Sequence, residues 1–421
     1  MPFRVGEIAS GPDFAGRRSE LTRIQQAMWS RGRLLVTGIQ GQGKRSTVTQ
    51  AFQPVGNRGG ILLRADLGTT ENASELLRRW VAEVPPGWGQ RTRLLDFLRS
   101  TGLRPETGRR GPWSGPGSGS GSGPGSAPWE VGQPARRKGD RDGAPIRLGI
   151  RSRTLAVDEA EAQIGALLQW FDGMAAHHPA PIIPVLDEVQ HADRILPDGF
   201  QLLKSWMSTT RNLPWILCGT PHVAPSLARK GTSGGGAAMG AAAGKGMAGG
   251  GADGMEHMEL GPIPRDEMAG WIEKQLHGHG VEPEPEVGRR IVEVAGPRTV
   301  DRIRLSRHTY LRSLGRDRVG TDEVEAAYGD LILEGSEGFE RLWQEFPPYQ
   351  RAVLRAVAVG VEQLHSQKAA FEYDLPVSSA VTKAVRILRE KGQLSEGTPI
   401  TLTDPFFRGW VLGKAMLDAV G

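Results

Sequence analysis

The chain is short of several things that would each point to a class of protein. It has one cysteine, Cys218, in 421 residues. That excludes a disulfide framework and any zinc site built on cysteines, and it fits a reducing compartment. No apolar run approaches the roughly 18 residues that a membrane-spanning helix needs. The first ten residues, MPFRVGEIAS, lack the apolar core of a signal peptide. The expectation is a soluble, cytoplasmic protein with no membrane partner. Only 10 of the 52 basic residues are Lys, which carries no functional weight.

Charge of one sign is also scarcer than it looks. The formal net charge is +5, yet residues 104–153 alone hold 10 basic and 4 acidic side chains. The rest of the chain is close to neutral, so the overall basicity is poor support for nucleic-acid binding by the folded body. Glycine is abundant, 58 residues against a usual share of about 7%. Of these, 12 lie in 104–153 and 11 in 231–254. Both segments read as disordered low-complexity inserts that cannot bury enough apolar surface to offset their ordering entropy.

Outside the inserts the pattern alternates. Leu34–Thr37, Ile61–Asp66, Ile182–Leu186 and Trp215–Cys218 read as short buried strands. Helical periodicity lies between them, at Arg17–Trp29, Ala73–Val84, Gln90–Ser100, Asp158–Ala175 and Leu202–Thr209. Alternating strands and helices predict an α/β fold with a parallel sheet.

Between the first strand and the next helix stands Gly38-Ile39-Gln40-Gly41-Gln42-Gly43-Lys44, a match to G-x-x-x-x-G-K in the required strand–turn–helix setting. Glycines let backbone N–H groups converge on a phosphate, the helix N-terminus adds partial positive charge, and Lys44 can reach the β/γ-phosphates. The position after the lysine ordinarily carries Ser or Thr to ligate Mg²⁺; here it is Arg45. Ser46 is rotated by about 100° on the helix and is better placed for the α-phosphate. Two readings of Arg45 stay open: it points outward, or it contacts a phosphate itself.

The strand Ile183-Pro184-Val185-Leu186 ends in Asp187-Glu188. In a phosphate-binding-loop site Asp187 would hold Mg²⁺, and Glu188 would orient and activate the attacking water. Thr220, at the end of the following strand, would either hold that water or merely turn the chain.

These residues, taken in order, resemble a known family. Phe14-Ala-Gly16-Arg17-Arg-Ser-Glu20-Leu21 resembles the F-x-G-R-x-x-E-L lead-in of AAA+ and STAND-type ATPases. There the Gly16-Arg17 segment would border the adenine. Leu260-Gly-Pro-Ile-Pro-Arg-Asp-Glu267 resembles the start of the family's helical lid, and Ala295-Gly296-Pro297-Arg298 its sensor-2 motif, with Arg298 reaching the γ-phosphate. The bland alternative for Arg298 is an exposed helix-start arginine. The likeness is strongest to archaeal-type ATPases that end in a winged helix.

The C-terminal residues fit that ending on their own pattern. Gln350–Val361 and Ser378–Lys391 read as helices, with Gly392 past the end of the second. Gln393–Ser395 and Ile400–Leu402 flank a turn, and Asp404-Pro405 reads as an N-cap followed by proline. Ser379, Thr382, Lys383, Arg386 and Arg389 form a face that either enters a DNA groove or is simply solvated. Residues 340–421 sum to only +1.

The expected organisation is therefore a P-loop ATPase core over 1–260, a helical lid over 261–335 and a winged helix over 336–421. The expected function is that of an ATP-binding, slowly hydrolysing ATPase acting as a nucleotide-dependent switch, with ATP and Mg²⁺ as ligands. A protein partner, DNA through the winged helix, and a homo-oligomer are the candidate partners. Two alternatives stand beside it: a nucleotide-regulated DNA-binding recruitment factor, and a non-hydrolysing nucleotide-binding scaffold in which Arg45 replaces the metal-binding hydroxyl.

Overall fold

A computed structural model of the chain describes residues 2–85, 88–101, 103, 105–106, 147–148, 157–228 and 254–420. The chain divides into two compact units, Glu7–Gly261 and Met1–Gly6 with Pro262–Gly421.

The first unit is built on five strands: β1 (Arg33–Thr37), β2 (Ile61–Asp66), β3 (Ile182–Asp187), β4 (Trp215–Gly219) and β5 (Glu256–Glu259). Their order is β2-β3-β4-β1-β5, and every pairing is parallel. Successive side chains alternate between the two faces of the sheet. Leu34 and Val36 therefore join Val48, Ala51, Val185, Ile216 and Met258 on one side. Leu35 faces the other, with Leu63, Trp80, Phe171 and Trp215. Helices α1 (Arg18–Trp29) and α2 (Lys44–Gly56) contribute to the first layer. Helices α3 (Ala73–Ala82) and Val157–Ala175 contribute to the second. Trp80 meets Trp206 and Trp215 edge to face, at centroid distances of 6.4 and 6.1 Å.

Three details depart from the sequence pattern. Strand β5 was not expected: Glu256-His257-Met258-Glu259 has one apolar residue, and only Met258 is buried. It forms because β1 offers it an open edge, and Thr37 Oγ1 lies 2.7 Å from His257 Nε2. Pro184 sits inside a fully buried strand, but the ladder from β3 to β4 comprises only Val185 and Leu186, beyond the proline that cannot donate to it. Pro105–Glu106 pairs antiparallel with Arg147–Leu148, near the two ends of the 104–153 segment. Apart from these residues and Gly254, the segments 104–153 and 231–254, and with them the expectation of disorder, lie outside the described residues.

In the second unit, Arg265–Gly278, Val287–Val294, Thr299–Arg312 and Thr321–Gln344 are helices. The last of these runs straight through the expected boundary at 335–336. Gly335 does not break it, and the Phe339 ring one turn on occupies the space where a Cβ of residue 335 would stand, 2.5 Å away. The winged helix follows. Pro348–Val359, Gln367–Glu372 and Ser378–Glu390 are its helices, and its strand pair is reduced to a bridge between Leu394 and Leu402. Gly392 is left-handed, at φ +70°. Asp404 Oδ1 accepts the N–H groups of Phe406 and Phe407 at 2.8 and 3.0 Å, capping the helix Pro405–Val420 as its sequence foretold.

Candidate phosphate-binding site

The loop Gly38–Gly43 joins the carboxyl end of β1 to α2. Gly38 leaves the sheet by donating to Gly219 O of β4 at 3.2 Å. No side chain fits there, since a Cβ would lie 2.8 Å from Leu260 O. Gly41 and Gly43 both take φ +85°, a conformation that L side chains avoid. Gly43 serves as the N-cap of α2, with open space where a Cβ would stand. Ile39 and Gln40 are exposed, whereas the Gln42 side chain is buried. Lys44 is buried, and its Nζ donates to the carbonyls of Gly38 (2.8 Å) and Ile39 (3.3 Å). A glycine-rich loop at a helix start, with a buried ammonium beside it, is the arrangement that anion sites use.

The lead-in braces this loop. Gly16 (φ +63°) and Arg17 (φ +66°) are both left-handed. Arg17 is buried, and its Nη2 donates to Gln42 O and Gly261 O, each at 2.9 Å, while Nη1 lies 3.4 Å from Glu20. The side chain expected beside the adenine thus ties the phosphate loop to the segment after β5. Ser46 Oγ accepts the Ala9 N–H at 3.0 Å, and Gln50 Oε1 accepts that of Gly11 at 2.9 Å, so the lead-in lies along α2.

At the ends of β2 and β3 the structure brings in a residue that the sequence reading missed. Arg64, from β2, directs its guanidinium at Asp187: Nε donates to Oδ2 at 2.6 Å and Nη2 to Oδ1 at 3.3 Å. Its Nη1 donates to Thr49 Oγ1 (2.7 Å) and Nη2 to Arg45 O (3.3 Å). Arg45 turns inward as well, with Nε 3.4 Å from Asp187 Oδ2 and Nη1 3.1 Å from Asp66 Oδ2. The other oxygen of Asp66 accepts the Gly68 N–H at 2.8 Å. The Asp187 side chain is 1% exposed and that of Arg64 11%, against 47% for Arg45. Burial works to lower the Arg64 pKa, but the charge and hydrogen bond of Asp187 outweigh it, so the guanidinium is held charged. The same surroundings, burial first and Asp187 second, push the Cys218 thiol well up. The signal for Arg64 was available: a charged residue inside the apolar run Ile61–Ala65 demands a buried partner.

These residues do not fit the Mg²⁺ that Asp187 was expected to hold. Both Asp187 oxygens are taken by guanidinium groups, and the residue after Lys44 is itself one of those cations. Among the described residues no group of three or more His, Cys, Asp or Glu is arranged to hold a metal.

Glu188 takes a left-handed turn, φ +55°, directly after β3. Gln190 Nε2 donates to Glu188 Oε2 at 2.5 Å, and Gln190 Oε1 accepts the Thr220 N–H at 3.3 Å. Gln190, unremarked in the sequence, thus links the two residues expected to handle a water. Arg298 belongs to the other unit. It precedes the helix Thr299–Arg312, and its Nε and Nη2 donate to Asp301 Oδ2 and Oδ1 at 2.5 and 2.9 Å, with Asp404 Oδ2 at 3.6 Å. Among the described residues no helix is long and apolar enough to cross a membrane.

Residues 337–413 match a family described as "Probable winged helix domain". The chain is similar in structure to a Walker-type ATPase of Pyrococcus abyssi, with a TM-score of 0.55 and 15% identity, covering 98% of this chain and 100% of that one. It is also similar to the ORC2 protein of Aeropyrum pernix, solved as ADPNP and ADP complexes, with a TM-score of 0.52 and 12% identity, covering 100% and 98% of the two chains. No curated protein matches it. The chain therefore shares the fold of that Walker-type ATPase, a parallel α/β sheet followed by helices and a C-terminal winged helix.

Proposed function

We propose that the protein binds ATP and works as a nucleotide-dependent switch that presents its winged helix to a partner. The observation that carries this is the loop between β1 and α2. Its two left-handed glycines and the buried Lys44 are assembled at the carboxyl edge of a parallel sheet, where such sheets bind ligands. On nucleotide binding, Lys44 Nζ exchanges the carbonyls of Gly38 and Ile39 for phosphate oxygens. Glu188, steadied by Gln190 beside Thr220, is the base for an attacking water. Hydrolysis is slow, because Asp187 is already neutralised by two arginines.

A titration of the full chain with a fluorescent ATP analogue tests the reading. Lys44→Ala is expected to weaken binding by about 10-fold or more, and phosphate release is expected to cease in Glu188→Gln. Wild-type affinity in Lys44→Ala, or turnover that survives both changes, refutes it.

A second reading, DNA contact by the winged helix, is favoured by the exposure of Ser379, Thr382, Lys383 and Arg386 along one face of Ser378–Glu390. Binding of duplex DNA that falls steeply with salt, and that weakens in Lys383→Ala, would support it. Absence of binding at low salt would remove it.

A further inference from the structure

We infer that Arg45 and Arg64 take the place of a divalent cation, so that the site receives a nucleoside triphosphate as the free anion. The inference rests on the nucleotide-binding reading above and specifies how that site handles charge.

The argument starts from Asp187. A carboxylate 1% exposed must be paired or it neutralises. In this chain its charge is met by protein cations, and they are well anchored. Arg64 is gripped by three partners on two elements: Asp187 of β3, and Thr49 and the carbonyl of Arg45 on α2. A metal would have to expel this guanidinium from its hydrogen-bonded carboxylate partner in a buried pairing, which is strongly unfavourable. Asp66 offers no second ligand, because one oxygen meets Arg45 and the other the Gly68 N–H. Glu188 is held by Gln190. Asp187 and Asp66 each have both oxygens engaged.

Arg45 is the complementary half. It is the second residue of α2, immediately after the phosphate-loop lysine, and its side chain is half exposed. A guanidinium carries five N–H donors in a planar fork. Two nitrogens of Arg45 face Asp187 and Asp66. The remaining donors offer phosphate oxygens the positive charge that a metal elsewhere supplies. The acids fix the arginine in place, the arginine faces the anion, and Arg64 neutralises the acid behind it.

The test is calorimetric titration of the full-length protein with ATP, once in excess EDTA and once in Mg²⁺, for the wild type and for Arg45→Ser. This variant leaves the buried Arg64–Asp187 pair intact and restores the usual hydroxyl. The expected result is wild-type affinity that changes by less than about 3-fold between the two buffers, with Arg45→Ser weakened by about 10-fold or more in EDTA. A wild-type affinity that drops about 10-fold or more when Mg²⁺ is removed overturns the inference. So does an Arg45→Ser variant that binds as well as wild type in EDTA. Failure of the wild type to bind ATP in either buffer instead overturns the nucleotide-binding reading beneath it.

Discussion

Replacing Arg64 by Met should destabilise the unit Glu7–Gly261 far more than loss of an ordinary surface arginine. Met keeps most of the apolar stem and removes the guanidinium. Asp187 is then left 1% exposed, with Arg45 Nε at 3.4 Å as its remaining cation. Removing one partner of a buried ion pair typically costs about 3–5 kcal/mol, since the survivor is a buried charge without compensation. The half-exposed Arg45 can move in, so the lower end, about 3 kcal/mol, is expected. For a unit of this size that corresponds to a fall in Tm of roughly 6–12 °C. Asp187→Leu alone strands Arg64 in the same way. The double variant leaves no buried charge at the pair and should recover about 2 kcal/mol of the summed cost. Urea unfolding followed by tryptophan fluorescence senses this unit through Trp80, Trp206 and Trp215 in its core, and the transition that shifts in the variant is the one to be scored, because Trp343 and Trp410 report on the second unit. An Arg64→Met cost below about 1 kcal/mol, or a double variant whose cost equals the sum of the singles, would refute the view that the two side chains are energetically coupled as a buried pair.

Two further outcomes are expected, one in each unit. Burial raises the Glu83 carboxyl to about 7, against the pull of Arg64 and Arg45. The folded unit therefore holds this proton more tightly than the unfolded chain does, and the stability it contributes is full below about pH 4.5 and lost as the pH rises to about 7. Glu83→Gln should remove that dependence and gain up to about 3 kcal/mol at pH 8 relative to pH 5; equal pH slopes for wild type and variant in urea unfolding would count against it. In the second unit, Asp404→Ala removes the acceptor for the N–H groups of Phe406 and Phe407. A loss of about 1 kcal/mol is expected, with Asp404→Asn retaining most of the stability, as measured by thermal unfolding.

How much of this was legible depended on whether the cause was local. Four strands could be read because they are apolar runs that end in turn residues. β5 could not, since Glu256–Glu259 becomes a strand only by pairing with β1. The phosphate loop was plain because its spacing is a local requirement of one strand–turn–helix. The Asp187-Glu188 pair was visible, but its surroundings were not: Arg64 is 123 residues before Asp187, and only the pairing of β2 with β3 brings the two together. The helix through Gly335 was hidden for a related reason. Glycine lowers helix propensity by only about 1 kcal/mol, so the apolar packing of a long helix such as Thr321–Gln344 carries it through Gly335.

The sequence by itself determined the kind of fold, the phosphate loop and the capped winged helix, because periodicity, glycine spacing and capping act over a few residues of chain. The tertiary structure alone decided the electrostatics of the site. It placed two arginines from β2 and α2 on a carboxylate at the end of β3, tied Arg17, expected only to border the adenine, to the phosphate loop, and linked Glu188 to Thr220 through Gln190. Charge pairing is set by distance in space, and a sheet that orders its strands β2-β3-β4-β1-β5 makes neighbours of residues that the chain keeps far apart.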